Sequence, residues 1–134
     1  MRLFLDTNII IDIIGYRQPY CVSAANLLDL AYKEKVELYA TALTFANALY
    51  VLRKSIGTED ATNYLKQLNQ IVHIAPTTQQ EVELAFNSEN PDFEDAIQYY
   101  SAITINADII ITRNPKHFKL STLPVMDAEQ YLLS

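Results

Sequence analysis

The sequence predicts a three-layer α/β/α sandwich around a mostly parallel sheet of about five strands. Short apolar segments alternate along the chain with segments that repeat apolar residues at helical spacing, and this order is typical of α/β folds. The segment Ile109-Ile110-Ile111 contains no polar residue, as expected of a parallel strand buried on both faces. The length of 134 residues suits one hydrophobic core, so we expect a single domain over residues 1–134.

The N-terminal part of the chain predicts two strands and two helices. Residues 3–5 are apolar and predict a short buried strand, and residues 9–14 predict a helix that ends near Gly15. Ser23 is a good N-cap for a second helix, because apolar residues repeat at helical spacing after it. Residues 37–40 predict the second strand.

The middle of the chain predicts three helices and one strand. A helix over residues 44–55 stops at Gly57, and the next helix begins directly after that glycine. Residues 71–75 predict the third strand. Thr77 and Gln80 follow it with the spacing of a capping box, which predicts a further helix.

The C-terminal part predicts the remaining two strands and two helices. A helix starts at Pro91-Asp92, and the fourth strand covers residues 108–112. Residues 124–126 predict a short fifth strand. Asp127 and Gln130 then have the spacing that caps a final helix.

Composition excludes several classes of protein. The formal net charge of −6 disfavours a protein that coats nucleic acid by neutralising its phosphates. An acidic cluster that binds a cation would still suit a phosphate substrate, because the metal supplies the positive field. The two glycines, Gly15 and Gly57, lie far apart, which excludes glycine-rich nucleotide loops and G-x-S-x-G hydrolases. His73, His117 and Cys21 offer too few ligands for a zinc site.

The sequence also predicts where the protein resides. It has no apolar run of about eighteen residues that could span a membrane. Only three apolar residues separate Arg2 from Asp6, which is too few for the apolar core of a secretory signal. The single Cys21 cannot form an internal disulfide. We therefore expect a cytoplasmic protein with no membrane contact.

Polar residues at the predicted strand ends are the candidates for a site, because ligands of α/β folds bind beyond the carboxyl ends of the strands. Asp6 follows the first strand, and Asn114 follows the fourth. Asp92 and Asp95 share a face at the start of one helix, whereas Glu94 is rotated away from that face. Mg²⁺ and Mn²⁺ prefer such oxygen ligands, and Asp6, Asp95 and Asn114 could supply them from three elements.

Each of these residues also has a purely structural interpretation. Asp6 could be only a helix N-cap, and the acids at the helix start could be there only because the helix dipole favours negative charge. Asn114 precedes Pro115, and Asn-Pro pairs commonly close a strand with a turn. Asp12 could line the same rim, but it is expected to face water, as most acids do.

Three motifs, taken in order, resemble the PIN domain family. They are Asp6-Thr7-Asn8 after a strand, Asp95 followed seven residues later by Ala102, and the segment TRNPKHF at residues 112–118. The resemblance covers nearly the whole chain. It implies an acidic pocket that binds one or two Mg²⁺ or Mn²⁺ ions. Because many small bacterial members are VapC-type toxins that cut RNA, it also implies an RNA substrate, an antitoxin partner and a possible homodimer.

The resemblance assigns roles to residues of this chain. Asp6 and Asp95 would be catalytic and would bind the metal. The family has a glutamate early in the third long helix, whereas this chain has Asn47 there, so the pocket lacks one negative charge. Asp92 could compensate for it. The predicted metal ligands are thus Asp6, Asp95, Asp92, Asn47 and Asn114.

Near the same rim, Thr112, Arg113 and Lys116 are the predicted substrate contacts, since they flank Asn114. His117 is expected to be a turn residue. The favoured function is metal-dependent hydrolysis of RNA phosphodiester bonds, which by the family resemblance would leave a 5′-phosphate.

Two other functions compete with this one. Asn47 motivates the first, a PIN-like module that binds nucleic acid or protein without cleaving. The second, a phosphoreceiver domain, needs an Asp after the third strand and a Lys after the fifth. The sequence supplies neither residue at those places, which excludes it.

Overall fold

The computed structural model describes residues 1–134 and confirms the α/β class. Its strands are β1 (Arg2–Leu5), β2 (Glu37–Thr41), β3 (Val72–Ala75), β4 (Ile109–Ile111) and β5 (Val125–Met126). Its α-helices are α1 (Thr7–Ile14), α2 (Tyr20–Tyr32), α3 (Ala42–Ile56), α4 (Thr58–Leu68), α5 (Gln79–Phe86), α6 (Phe93–Thr104) and α7 (Ala128–Leu133). A single turn of 3-10 helix, Pro115–Phe118, follows β4.

The five strands form one sheet that is parallel throughout. Their order is β3-β2-β1-β4-β5, and every neighbouring pair is parallel. The strand β1 is buried on both faces. Leu3 and Leu5 pack into the larger hydrophobic cluster on one face, whereas Phe4 packs into a second cluster with Ala102 of α6. Helices therefore cover both faces of the sheet, which confirms the predicted three-layer sandwich.

The strand order places a crevice between β1 and β4. The chain moves from β1 outward to β2 and β3 on one side, and later returns to add β4 and β5 on the other side of β1. Ligands of such sheets bind at this switch point, beyond the carboxyl ends of the two strands. Asp6 follows β1 there, and its amide donates to the carbonyl of Ile111 at 3.0 Å. Thr112 follows β4 at the same edge.

Helix boundaries agree with the sequence where a glycine or an acidic cap sets them. The helix α1 ends before Gly15, and Gly57 ends α3 with a φ of 85°, a backbone conformation that favours glycine. Asp127 and Gln130 form the predicted capping box of α7. The start of α3 differs from the prediction. Thr41 caps this helix by accepting from the amide of Thr44, so α3 starts two residues before the predicted position.

Two predicted caps were wrong. Ser23 lies inside α2, which begins at Tyr20, because buried Cys21 extends the apolar face toward the N-terminus. The capping box of α5 uses Thr78 and Glu81, not Thr77 and Gln80. The hydroxyl of Thr77 is hydrogen-bonded to Ser101 of α6 instead, at 2.9 Å.

Crossing a bilayer demands a helix of a certain length and apolar character. No helix of this structure has both properties.

Candidate active site

Asp6 lies in the crevice as a nearly fully buried carboxylate, with 2% of its surface exposed. Its Oδ1 accepts from the amide of Thr7 at 2.8 Å, so it is indeed the N-cap of α1. Its Oδ2 accepts from the hydroxyl of Thr112, also at 2.8 Å. Asp6 therefore caps a helix and also connects the ends of β1 and β4. The N-cap interpretation of this residue is confirmed, and its role as a metal ligand stays a prediction.

His117 lies in the 3-10 turn, as expected, but its side chain also contacts Asp6, which the sequence did not predict. Its Nδ1 lies 2.8 Å from Oδ2 of Asp6, and its Nε2 lies 2.9 Å from Nδ2 of Asn114. Burial acts to lower the pKa of His117, but the hydrogen bond and negative charge of Asp6 outweigh it and raise that pKa above its ordinary value. The 3-10 turn after β4 makes this contact possible, since it folds His117 back over the strand end.

Asp95 lies near Asp6 although the two are far apart in sequence. It is half-buried in the first turn of α6, and Asp92 caps that helix by accepting from the Asp95 amide at 3.0 Å. The pKa of Asp95 is raised to about 6, chiefly by burial. His117 lowers this pKa, whereas the negative charges of Asp92, Asp6 and Glu94 raise it. The predicted pair of acids thus shares one electrostatic environment.

Glu94 also reaches the rim of this site, although the sequence placed it away from the Asp92–Asp95 face. Its Oε1 accepts from Nδ2 of Asn47 at 2.6 Å. Glu94 is rotated away from the Asp92–Asp95 face of α6, as predicted. This rotation directs its side chain toward α3, a contact that helical spacing alone does not predict. Asn47 therefore holds a carboxylate through its amide nitrogen, and a negative charge is present beside the position where the family has its glutamate.

Two of the predicted phosphate contacts are engaged inside the protein. Thr112 is fully buried, and its hydroxyl donates to Asp6. Arg113 donates twice to Asp12, from Nε at 2.5 Å and from Nη2 at 3.1 Å, and its guanidinium lies 4.2 Å from the Tyr20 ring centroid. These bonds use the Thr112 hydroxyl and two of the three guanidinium nitrogens of Arg113, and a phosphate contact by either side chain stays a prediction. Lys116 is exposed on the 3-10 turn, so its predicted contact remains open.

Asp12 was expected to face water, and this was wrong. Its surface is fully buried, and the ion pair with Arg113 compensates its charge. The same pair raises the pKa of Arg113, chiefly through the hydrogen bond to Asp12. Arg113 therefore neutralises the charge of Asp12 behind the strand end.

The chemistry of the donors suits a hard divalent cation. No group of three or more His, Cys, Asp or Glu side chains is close enough to hold a metal ion by itself. However, Mg²⁺ is usually bound through one or two carboxylates together with waters and substrate phosphate, so a closed protein cage is not required. Gln98, one turn along α6 from Asp95 and on the same face, also has a buried Oε1 with no hydrogen-bond partner. The carboxylates of Asp6 and Asp95 are oxygen donors of the kind that such an ion prefers.

The burial of the Asp95 carboxyl and the negative charges around it should affect the stability of the metal-free protein. A carboxyl with a raised folded pKa destabilises the fold at neutral pH, and this effect fades as the pH falls through about 6 and the group takes up a proton. A rise of this size in the folded pKa corresponds to a loss of about 3 kcal/mol in the free energy of unfolding at neutral pH. Screening of this half-exposed group reduces that to about 1 kcal/mol. We expect Asp95→Asn to raise the free energy of unfolding in chelator by that amount at neutral pH.

Urea unfolding from about pH 7.5 to about pH 5 measures this difference. The matched control is Asp60→Asn, since Asp60 is also the third residue of its helix, α4, but is exposed to solvent. That variant should be no more stable than the native protein at any pH. An Asp95→Asn protein that is less stable than native at neutral pH would contradict the electrostatic account.

Comparison with solved structures identifies the same fold elsewhere. VapBC2 from Rickettsia felis, bound to a DNA fragment from its promoter, contains a chain that matches with a TM-score of 0.72 at 20% identity, covering 95% of this chain and 98% of that one. VapBC-1 from nontypeable Haemophilus influenzae matches with a TM-score of 0.71 at 20% identity, covering 96% and 99%. VapC20 of Mycobacterium tuberculosis, a toxin that cleaves the sarcin-ricin loop, matches with a TM-score of 0.67 at 13% identity, covering 86% and 92%.

Sequence comparison gives the family. No curated protein matches the sequence. The sequence model of the PIN domain matches residues 2–116, a span that includes both acids of the site and ends within the 3-10 turn after β4. This match covers most of the chain, and the chain belongs to the PIN domain family.

Proposed function

We propose that the protein is a metal-dependent endoribonuclease and the toxin of a toxin–antitoxin pair. The observation that carries this proposal is that Asp6 lies at the switch point of the sheet, close enough for its negative charge to act on Asp95. Membership of the PIN domain family supports the choice of a nuclease. The likeness in fold to VapC20, which cleaves the sarcin-ricin loop, supports the choice of RNA.

Asp6 and Asp95 would hold Mg²⁺ or Mn²⁺, with Glu94 and Asp92 adding negative charge from the start of α6. When bound, such an ion lowers the pKa of a water and neutralises charge on the phosphoryl oxygens. The protein's own contribution is to hold the two carboxylates in place. The Thr7 amide and the Thr112 hydroxyl fix Asp6 in one orientation, and the N-cap contact of Asp92 fixes the helix turn that carries Asp95.

We also propose a protein antitoxin as partner. The likeness to chains of VapBC2 and VapBC-1 supports it, since both structures contain assemblies of that name. A homodimer stays a prediction from the family resemblance.

The first test is incubation of the protein with a mixed pool of RNA, with Mn²⁺, with Mg²⁺ and with chelator. We expect cleavage only when a divalent ion is present, with products that carry a 5′-phosphate. Isothermal titration with Mn²⁺ should show binding in the millimolar range or tighter. Cleavage that persists in chelator would contradict the metal-dependent mechanism.

A binding module without catalysis is the second candidate, and the uncharged Asn47 is the observation that favours it. The contact between Asn47 and Glu94 weakens this argument, because it restores a carboxylate at the same rim. Absence of both Mn²⁺ binding and RNA cleavage would favour the binding module.

A further inference from the structure

A basic and aromatic surface lies on the exposed side of α3. Tyr50 exposes 58% of its surface. The guanidinium carbon of Arg53 lies 4.5 Å from the centroid of the Tyr50 ring, and Nζ of Lys54 lies 5.5 Å from it. Neither cation takes part in the ion pairs of the structure. We call Tyr50, Arg53 and Lys54 the α3 strip.

Charge distinguishes α3 from the other α-helices. Each of the other six contains at least one Asp or Glu, whereas α3 has none in its 15 residues, although the protein has a net charge of −6. The helix dipole favours basic residues in a last turn and so accounts for Arg53 and Lys54. It does not account for a large exposed ring that both cations cover. An aromatic ring flanked by cations is the arrangement on which single-stranded nucleic acids stack.

The α3 strip begins at the candidate active site. Asn47 lies one turn before Tyr50 and donates to Glu94 at 2.6 Å. Asn47, Tyr50 and Lys54 share one face of the helix, because they are separated by three and four residues. At 1.5 Å per residue, Tyr50 lies about 4.5 Å and Lys54 about 10 Å farther along the axis. A nucleic acid strand that extends from the acidic site along α3 would therefore pass from the carboxylates to the unpaired cations of Arg53 and Lys54.

We propose that the α3 strip binds single-stranded RNA next to the site of cleavage. A base stacks on Tyr50, and Arg53 and Lys54 contact the phosphates beside it. This inference rests on the proposed function and adds to it a preference for unpaired RNA, since a base that stacks on a side chain must first leave its duplex. It also explains how an acidic protein holds a polyanion, because the cations that hold it are concentrated on one helix.

Fluorescence anisotropy with a labelled single-stranded RNA tests the proposal. Every protein carries Asp95→Asn, so the RNA stays intact. Tyr50→Ala should weaken binding about tenfold, whereas Tyr50→Phe should bind as the parent does because the ring remains. Tyr32→Ala is the matched control, since Tyr32 is 77% exposed in the last turn of α2, and it should leave binding unchanged.

The salt dependence of binding tests the two cations separately. Replacing Arg53 and Lys54 together by Gln should reduce the slope of log affinity against log salt by about 1.4, the value for two phosphate contacts on a single strand. A duplex of the same sequence should compete less well than the single strand. An unchanged slope would show that these side chains do not contact phosphates.

Several results would overturn the proposal. They are equal RNA binding by Tyr50→Ala and the parent, no measurable binding by the parent, and a change of oligomeric state in Tyr50→Ala, which light scattering would detect. A change of oligomeric state would show that the α3 strip is an interface between copies of the chain. If the native protein cleaves RNA but Tyr50→Ala does not change RNA binding, only the proposed role of the α3 strip is refuted. A native protein that cleaves no RNA refutes the proposed function, whatever the strip does.

Discussion

Asp95→Asn will reduce Mn²⁺-dependent RNA cleavage by at least about a hundredfold. The amide has nearly the same shape as the carboxylate and keeps one oxygen, but it carries no negative charge. Asp95 lies where the charges of Asp6, Asp92 and Glu94 already repel it, an arrangement that a bound cation would relieve. Removing the charge of Asp95 therefore removes attraction for the ion while leaving the fold intact. Initial rates on one labelled RNA, at a fixed Mn²⁺ concentration that just saturates the native protein, give the measurement.

Unfolding cannot explain this loss, because the same substitution is expected to stabilise the metal-free protein. Asp60→Asn provides the control, since it removes an acid from the same position of α4, far in sequence from the site. It should cleave at the native rate. Asp6→Asn should also lose activity, and Mn²⁺ affinity should fall in both active-site variants. Cleavage at the native rate by Asp95→Asn in Mn²⁺ would refute the mechanism.

The sheet could be predicted from sequence because burial on both faces leaves a local pattern. Five short apolar segments gave five strands, and the boundaries differ from the prediction by one residue where they differ at all. Where the prediction was wrong, a competing local signal was stronger. Cys21 continued an apolar face past the polar cap at Ser23, and two adjacent threonines offered two possible capping boxes.

The candidate site was only partly predictable, since side-chain direction depends on neighbours that are distant in sequence. Asp6 and Asp95 follow from the rule that strand and helix ends meet at one edge. His117 does not, because its contact with Asp6 depends on a 3-10 turn. Glu94 was placed correctly on its own helix, but its partner lies on α3. No local pattern distinguishes a buried acid such as Asp12 from a solvated one.

Arg113→Ala will lower the free energy of unfolding by about 3–5 kcal/mol. Asp12 is fully buried and depends on two hydrogen bonds from Arg113 for its compensation. Without them its charge stays in the interior unpaired. Asp12→Ala should cost less, because the Arg113 side chain is 26% exposed and its cation can turn toward water. This asymmetry between two partners of one ion pair is measured by urea unfolding at neutral pH.

The double variant Asp12→Ala/Arg113→Ala should be more stable than Arg113→Ala alone, because it leaves no buried charge. If Arg113→Ala fails to fold, a double variant that folds still shows that the unpaired charge of Asp12 is the cause. Lys33→Ala is the control for loss of an ion pair at the surface. Its pair with Asp29 is more than half exposed on both sides, so it should contribute no more than about 0.5 kcal/mol. If Arg113→Ala loses no more stability than Lys33→Ala, Asp12 does not depend on Arg113. The arginine would then be free to contact phosphate, as the sequence first indicated.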